Sequence, residues 1–269
     1  MLWEELTAKQ FTCAVDKAES VCVLPIGVLE KHGNHLPLGT DMFTATSVCK
    51  AAAEKESAIV FPYYFLGQIS EARQQPGTLS VSNQMMMDTL LAMCDEISRN
   101  GMKKILIMSG HGGNNHFLPY FAQEMPRLGR DYQVYTGYVS DLKQNQWEDI
   151  AKAAGTYDFG YHVGLTETAV MMYLRGDLVD KSAQDPEEGR ALGRLKGVQD
   201  AGLFTGFNWY ADYPHHFAGD HTNATQELGE MIFNMLVQNT INCIKAVKAD
   251  DESAKLSAEF KERSGTVTT

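Results

Sequence analysis

The residues best suited to chemistry are acids and imidazoles set near short glycine turns. In PIGVLEKHGNHLPLGTD, residues 25–41, Glu30 and His32 stand two apart, and Asp41 follows a turn containing Gly33, Pro37 and Gly39. In extended chain, positions i and i+2 point to the same side. Glu30 and His32 can therefore aim at one point off the end of the apolar run before them. Glu, His and Asp together make a mixed oxygen and nitrogen donor set, of the kind that takes zinc, manganese or iron(II). Asp41 could also simply favour a helix N-terminus through the macrodipole, and Glu-x-His alone is a weak signal.

A second segment, KKILIMSGHGGNNH at 103–116, runs from an apolar strand pattern into Ser109, Gly110, His111, Gly112 and Gly113. Glycines strip side chains from such a turn and let another group approach the backbone. Asn114 is placed to cap the next helix. One reading is a phosphate loop, but G-K-[ST] and G-x-G-x-x-G are both missing. The other makes His111 a ligand on the same edge as Glu30 and His32. In the third segment, FGYHVGLTETAVMMYLR at 159–175, His162 precedes a glycine turn and Glu167 opens an apolar helix. For Glu167 a capping box or dipole partner is the plain alternative. Glu30, His32, Asp41, His111 and Glu167 all fall where a strand should hand over to a helix. Such junctions gather on the face of a parallel sheet where open α/β folds place ligands.

Strands are expected at 21–29, 58–66, 103–108 and 132–139, and helices at 43–56, 83–99, 115–128, 146–154, 166–174 and 224–247. The alternation predicts an α/β fold with a mainly parallel sheet covered on both faces. With no internal repeat or linker, 1–248 reads as one domain and 249–269 as a polar tail that frays. The irregular region 181–222 is either a functional loop or a surface excursion or oligomer contact. From it, His215, His216 and His221 could reach the site. Trp147, Trp209 and Tyr210 could line a pocket or serve packing. Met85, Met86, Met87 and Met93 read as core filler, and 245–255 as a solvated helix end.

Composition narrows the class. The 269 residues carry 23 Lys+Arg against 34 Asp+Glu, a net charge of −11. That argues against nonspecific nucleic-acid or membrane-surface binding, which wants a basic face. No apolar run approaches the roughly 20 residues of a membrane span, and the N-terminus has acids where a signal peptide has bases. The five scattered cysteines lack any C-x-x-C and read as reduced thiols of a cytoplasmic protein.

The segment LEKHGNHLPLGTD resembles the signature of the creatininase family, close to E-x-H-G-x-H-L-P-x-x-x-D. SGHGGNN resembles its second motif, HVGLTET its third (H-A-G-x-x-E-T-S), and FAGDHTNATQE at 217–227 a fourth (G-x-x-G-D-x-x-x-A-x-x-E). The four stand in the family order across residues 24–227. The resemblance implies a three-layer α/β/α fold, often hexameric. It also implies a two-metal site that hydrolyses a C–N amide bond with activated hydroxide. Carried over by position, Glu30, His32, Asp41, His111 and Glu167 would hold two divalent ions of zinc, manganese or iron. Asp41 would bridge, with Glu30 and His111 on one ion and His32 and Glu167 on the other. Three carboxylates and one hydroxide then balance the two ions. His162 would be the proton donor or hydrogen-bond partner beside a small-molecule amide, and His35 would orient a ligand from behind.

Three positions depart from the family pattern. Gly113 stands where the creatininases proper have glutamate, Leu165 where many members have an acid, and Ala169 where serine is usual. Members with G-H-G-G-N include enzymes acting on formylated pyrimidines and on peptides. A cyclic amide or formamide is therefore expected ahead of creatinine. The alternatives are a nucleotide- or phosphate-binding protein using SGHGGN as an anion nest, and a metal-binding relative without catalysis.

Overall fold

The apolar runs alternate sides, and that alternation builds both halves of the core. In the computed structural model, which describes residues 1–265, four strands form one sheet. They are β1 (Val21–Ile26), β2 (Ile59–Val60), β3 (Lys104–Ser109) and β4 (Gln133–Tyr138), in the order β2-β1-β3-β4. Every pairing is parallel. Val21, Val23, Leu106 and Met108 enter one core cluster, and Cys22, Leu24, Ile26, Ile105 and Ile107 the other. A period of two on a sheet buried on both faces gives this division.

The first cluster is covered by α2 (Thr40–Lys55), α5 (Gln144–Ala154), α6 (Leu165–Arg175) and α9 (Gln226–Ala249). The second is covered by α1 (Ala8–Lys17), α3 (Asn83–Arg99) and α4 (Asn114–Leu128). The result is a three-layer α/β/α sandwich, as expected. Each large apolar side chain so buried contributes about 1.5–3 kcal/mol, which makes the sheet a firm platform for the loops at its carboxyl end. Among the described residues no helix is long and apolar enough to cross a membrane.

Several expected boundaries move. β1 stops at Ile26, four residues before Glu30. At Gly27 the chain passes so close to α2 that a Cβ would lie 2.5 Å from the Met42 nitrogen, and the chain turns away. The strand expected over 58–66 shrinks to Ile59–Val60. Pro62 has no N–H to give the ladder, and beyond it the chain keeps an isolated bridge at Tyr64, whose N–H donates to Pro25 O and whose carbonyl accepts from Gly27 N–H, both at 3.0 Å. Helix α1 was not expected; Thr7 and Gln10 close its first turn with a reciprocal capping box. Met85 lies half exposed, whereas Met86 is core.

The irregular region holds two short helices, α7 (Lys196–Asp200) and α8 (Asn208–Asp212). The expected fraying tail contains α10 (Glu252–Gly265), none of whose residues is buried; residues 266–269 lie outside the described residues. The segment 245–255 is not a simple solvated end. Lys248 is largely buried and pairs with Glu56 at 2.7 Å and Glu19 at 3.0 Å.

Candidate metal centre

Two strand-to-helix junctions at the carboxyl end of the sheet supply four of the acids and imidazoles; Glu167, expected at a third, comes instead from the helix-to-helix connection between α5 and α6. Glu30 and His32 lie in the loop between β1 and α2, and Asp41 is the second residue of α2. The extended-strand argument for Glu30 and His32 does not hold, because both sit beyond the strand. They meet through a loop that folds back on itself. Glu30 N–H donates to Leu38 O at 3.2 Å and Leu36 N–H to His32 O at 3.3 Å. His111 sits between β3 and α4. Ser109 braces that turn, its hydroxyl donating to His111 O at 3.0 Å and accepting from His111 N–H at 3.1 Å. Glu167 is in the first turn of α6.

Asp41 is the hub. Its Oδ1 lies 3.0 Å from His32 Nε2 and its Oδ2 3.1 Å from His111 Nδ1. Glu30 Oε1 lies 2.8 Å from His111 Nδ1 and 3.8 Å from His32 Nε2. Glu30, Asp41 and His111 bring donor atoms within 4.8 Å of one another, and so do His32, Asp41 and Glu167. A third set at this spacing is Glu30, His32 and His162.

The outer ring nitrogens fix which atoms face inward. His111 Nε2–H donates to Gln68 O at 2.6 Å, and His32 Nδ1–H to Glu30 O at 3.2 Å. A backbone carbonyl behind the ring selects the tautomer and leaves the opposite lone pair free for a cation. With the His111 ring neutral, the buried Glu30 Oε1 and Asp41 Oδ2 have no hydrogen-bond donor. Lone pairs of two carboxylates and an imidazole thus crowd one point, an arrangement that demands positive charge. Burial opposes charge on His111, yet Glu30 and Asp41 hold its pKa well above the usual imidazole value. His32 is likewise opposed by burial but lifted by Asp41, to about 10. In the metal-free protein a proton supplies the charge that a divalent ion supplies when bound. The donor set fits such ions.

Glu167 differs from the other acids. Burial pushes its pKa up to about 7, with Asp41 adding to the rise. One oxygen accepts the Val163 N–H at 2.5 Å. Val163 has φ +62°, a strained conformation for a β-branched residue. No capping box forms: the N-cap of α6 is Gly164, and Glu167 instead reaches back to the amide of Val163, one residue before it. His162 is placed by its backbone, which exchanges bonds with Ala218 at 3.2 and 3.0 Å. Its Nε2–H donates to Lys31 O at 3.3 Å, and Nδ1 lies 3.9 Å from Glu167 Oε2. Burial keeps the ring neutral, its pKa well below the usual value even with Glu30 nearby.

His35 touches none of the metal-capable side chains; its Nε2 lies 2.9 Å from Thr168 Oγ1, next in the chain to Glu167. His221 stacks on His35 at 4.1 Å between ring centroids. His215 is exposed. His216, only one candidate among three in the sequence, reaches the centre itself, with Nε2 2.5 Å from Glu30 Oε2. Its neighbours in HHFAGDH look alike in sequence, and only the turn around it singles it out. Asn114 caps nothing. Gly113 is the N-cap, and Asn114 instead ties the turn together, donating to Ser109 Oγ at 3.1 Å and accepting Gln68 N–H at 3.0 Å. The SGHGGN turn is a poor anion nest, because His111 brings it against two carboxylates that repel an anion. Trp147 packs on Phe159, ring centroids 4.8 Å apart, and shares a cavity of about 50 Å³ with Asp41 and Glu167. A larger groove of about 630 Å³ runs past Gly113, His116, Phe207, Trp209 and Tyr210.

Comparison with known proteins decides the family. The profile described as Creatininase: Creatinine amidohydrolase matches residues 4–244. The chain belongs to the creatininase family. As a member it is an amidohydrolase, in keeping with the four motifs. A creatinine amidohydrolase of Pseudomonas putida is 31% identical over 192 residues, 65% of this chain and 72% of that one. A mycofactocin precursor peptide peptidase of Mycolicibacterium smegmatis is 26% identical over 243 residues, 85% of each chain. A crystal structure of creatinine amidohydrolase superposes with a TM-score of 0.73 at 25% identity, covering 93% of this chain and 98% of that one. The same fold, at 24% identity and TM-score 0.73, is found in a creatininase Mn form and in a mutant creatininase of Zn-Zn type.

Proposed function

We propose that this family member is a two-metal hydrolase of a cyclic amide or formamide. Glu30 and His111 would hold one divalent ion and His32 and Glu167 the other, with Asp41 common to both sets. The sharing of Asp41 by two sets of metal-capable groups carries this reading. Mn and Zn forms of creatininase neighbours support zinc or manganese; iron suits the same donors. When bound, the ions lower the pKa of water and polarise the carbonyl under attack.

The chain's own groups then manage protons. His162 is neutral at rest, so it first accepts a proton at Nδ1, the atom facing Glu167, as water adds to the carbonyl. It returns that proton to the departing nitrogen. Its Nε2–H, committed to Lys31 O, keeps the ring oriented and turns that nitrogen away from metal binding. Gly113 shapes the substrate side. A Cβ there would lie 2.4 Å from His111 Nε2 and 2.5 Å from Gln68 O, so the glutamate of the creatininases proper does not fit this turn. Creatinine is accordingly not the favoured substrate. The cytoplasmic location expected from the cysteines, and the hexamer expected from the family, complete the reading.

Metal analysis with a panel of lactams, formamides and cyclic ureides tests it. About two equivalents of metal and chelator-sensitive hydrolysis are expected, with both lost in Asp41→Asn. A metal-free protein that retains nucleotide overturns it.

A further inference from the structure

We propose that Trp209 and His216 form a positioning relay that fixes Glu30 as a one-oxygen ligand. The inference rests on the two-metal reading above, and it concerns a pair outside the proposed ligand set. Trp209 Nε1–H donates to His216 Nδ1 at 2.9 Å. An indole nitrogen donates and never accepts. His216 Nδ1 must therefore be bare, and the ring proton must sit on Nε2. That proton points at Glu30 Oε2, 2.5 Å away. The polarity of the whole chain is set by the indole, which has only one way to bond.

The consequence falls on the other oxygen of Glu30. With Oε2 engaged, Oε1 alone faces His111 Nδ1 at 2.8 Å, and with that ring neutral it has no donor. Glu30 then offers one lone pair, in one rotamer, to an ion held with Asp41 and His111. Without the relay the carboxylate is free to rotate, and an imidazole of the opposite tautomer would set a bare Nε2 against Oε2.

The surroundings are built to hold this pair. His216 is buried and takes φ +56°, its N–H donating to Tyr213 O at 3.0 Å in a tight turn. The adjacent Pro214 carbonyl accepts from Gln75 Nε2 at 2.7 Å. Arg194 Nε donates to Ala211 O at 2.6 Å, steadying the short helix α8 that carries Trp209. A left-handed turn at a non-glycine residue is unfavourable, and here it is what turns the imidazole inward.

Trp209→Phe keeps an aromatic ring and removes the donor. Zinc affinity, measured by chelator competition, should fall about tenfold, at the lower end of what losing a partner behind a metal ligand does. In His216→Gln the amide N–H₂ donates to Glu30 Oε2 without help from the indole. That variant should bind zinc within about threefold of wild type, and adding Trp209→Phe to it should change nothing further. Nitrogen-15 NMR of the histidine rings should show His216 as the Nε2–H form in wild type and as a mixture in Trp209→Phe. Wild-type zinc affinity in Trp209→Phe, or His216 found as the Nδ1–H form or bonded to zinc, overturns the relay while leaving the metal reading intact. Failure of wild type to take up zinc overturns the metal reading, and the relay with it.

Discussion

The two sides of the centre are built differently. On one side Glu30 is wholly buried and His111 nearly so, each braced from behind by protein groups: His216 on Glu30 Oε2, and Gln68 O on His111 Nε2. On the other, the Glu167 side chain is a third exposed and leans on the strained Val163 amide. The electrostatics differ in the same direction. Burial works against the Glu30 charge, but His111, with a hydrogen bond from His216, holds its pKa well below the carboxylate range, whereas Glu167 is pushed up to about 7. One side is a preformed seat. The other keeps freedom near the histidine that handles protons.

The contrast can be broken most severely at the residue the two sides share. Asp41→Asn should empty both positions and lower kcat/KM by roughly a thousandfold or more, since activation of water by the ions is worth several kcal/mol. Metal stoichiometry and steady-state kinetics measure both. Next, Glu30→Gln and Glu167→Gln should differ in sign in the metal-free protein at pH 8. Glu30→Gln removes a charge that imidazoles stabilise and should lower Tm. Glu167→Gln replaces an unfavourably ionised group by a neutral one of similar shape and should hold or raise Tm. Both should still lose activity in the metal-loaded enzyme.

A smaller effect is expected at Gly113→Ala. The new methyl meets His111 and the Gln68 carbonyl, and overpacking of this kind costs about 1–3 kcal/mol. Thermal melts and zinc affinity should fall together, on the braced side only. The gentlest effect, taken per pH unit, is a slope in stability. The folded protein keeps a proton on Glu167 between its ordinary value of 4.5 and about 7, and on His32 between 6.5 and about 10. In both windows the native state binds more protons than the unfolded chain, so metal-free stability should decline as pH rises. Zinc displaces those protons, so the gain in Tm on adding zinc should grow over the same range. A metal-free Tm that climbs from pH 5 to 9 would contradict the raised values of both groups.

Much of this was legible in the residues, and the limits have particular causes. Helix α3 ends where its Asn83–Arg99 pattern and following Gly101 say it should. The acids and imidazoles of the turns were visible because glycines and the four motifs flank them. The end of β1 was not visible, because it depends on how closely α2 passes Gly27. Nor was the role of Asn114, which looks like a cap and instead bonds to Ser109 and Gln68. His216 could not be told from His215, since the two differ only in the backbone turn between them.

The sequence by itself determined the layered α/β architecture, through short apolar runs alternating with longer segments of helical period, and it determined the chemical types gathered at the sheet's end. Those follow from local pattern and composition. Only the tertiary structure decided which nitrogen of each ring faces inward, which carboxylate is shared, and which of the C-terminal histidines touches Glu30. These depend on contacts such as His216 with Glu30, 186 residues apart, and no local pattern encodes the angle at which two distant loops meet.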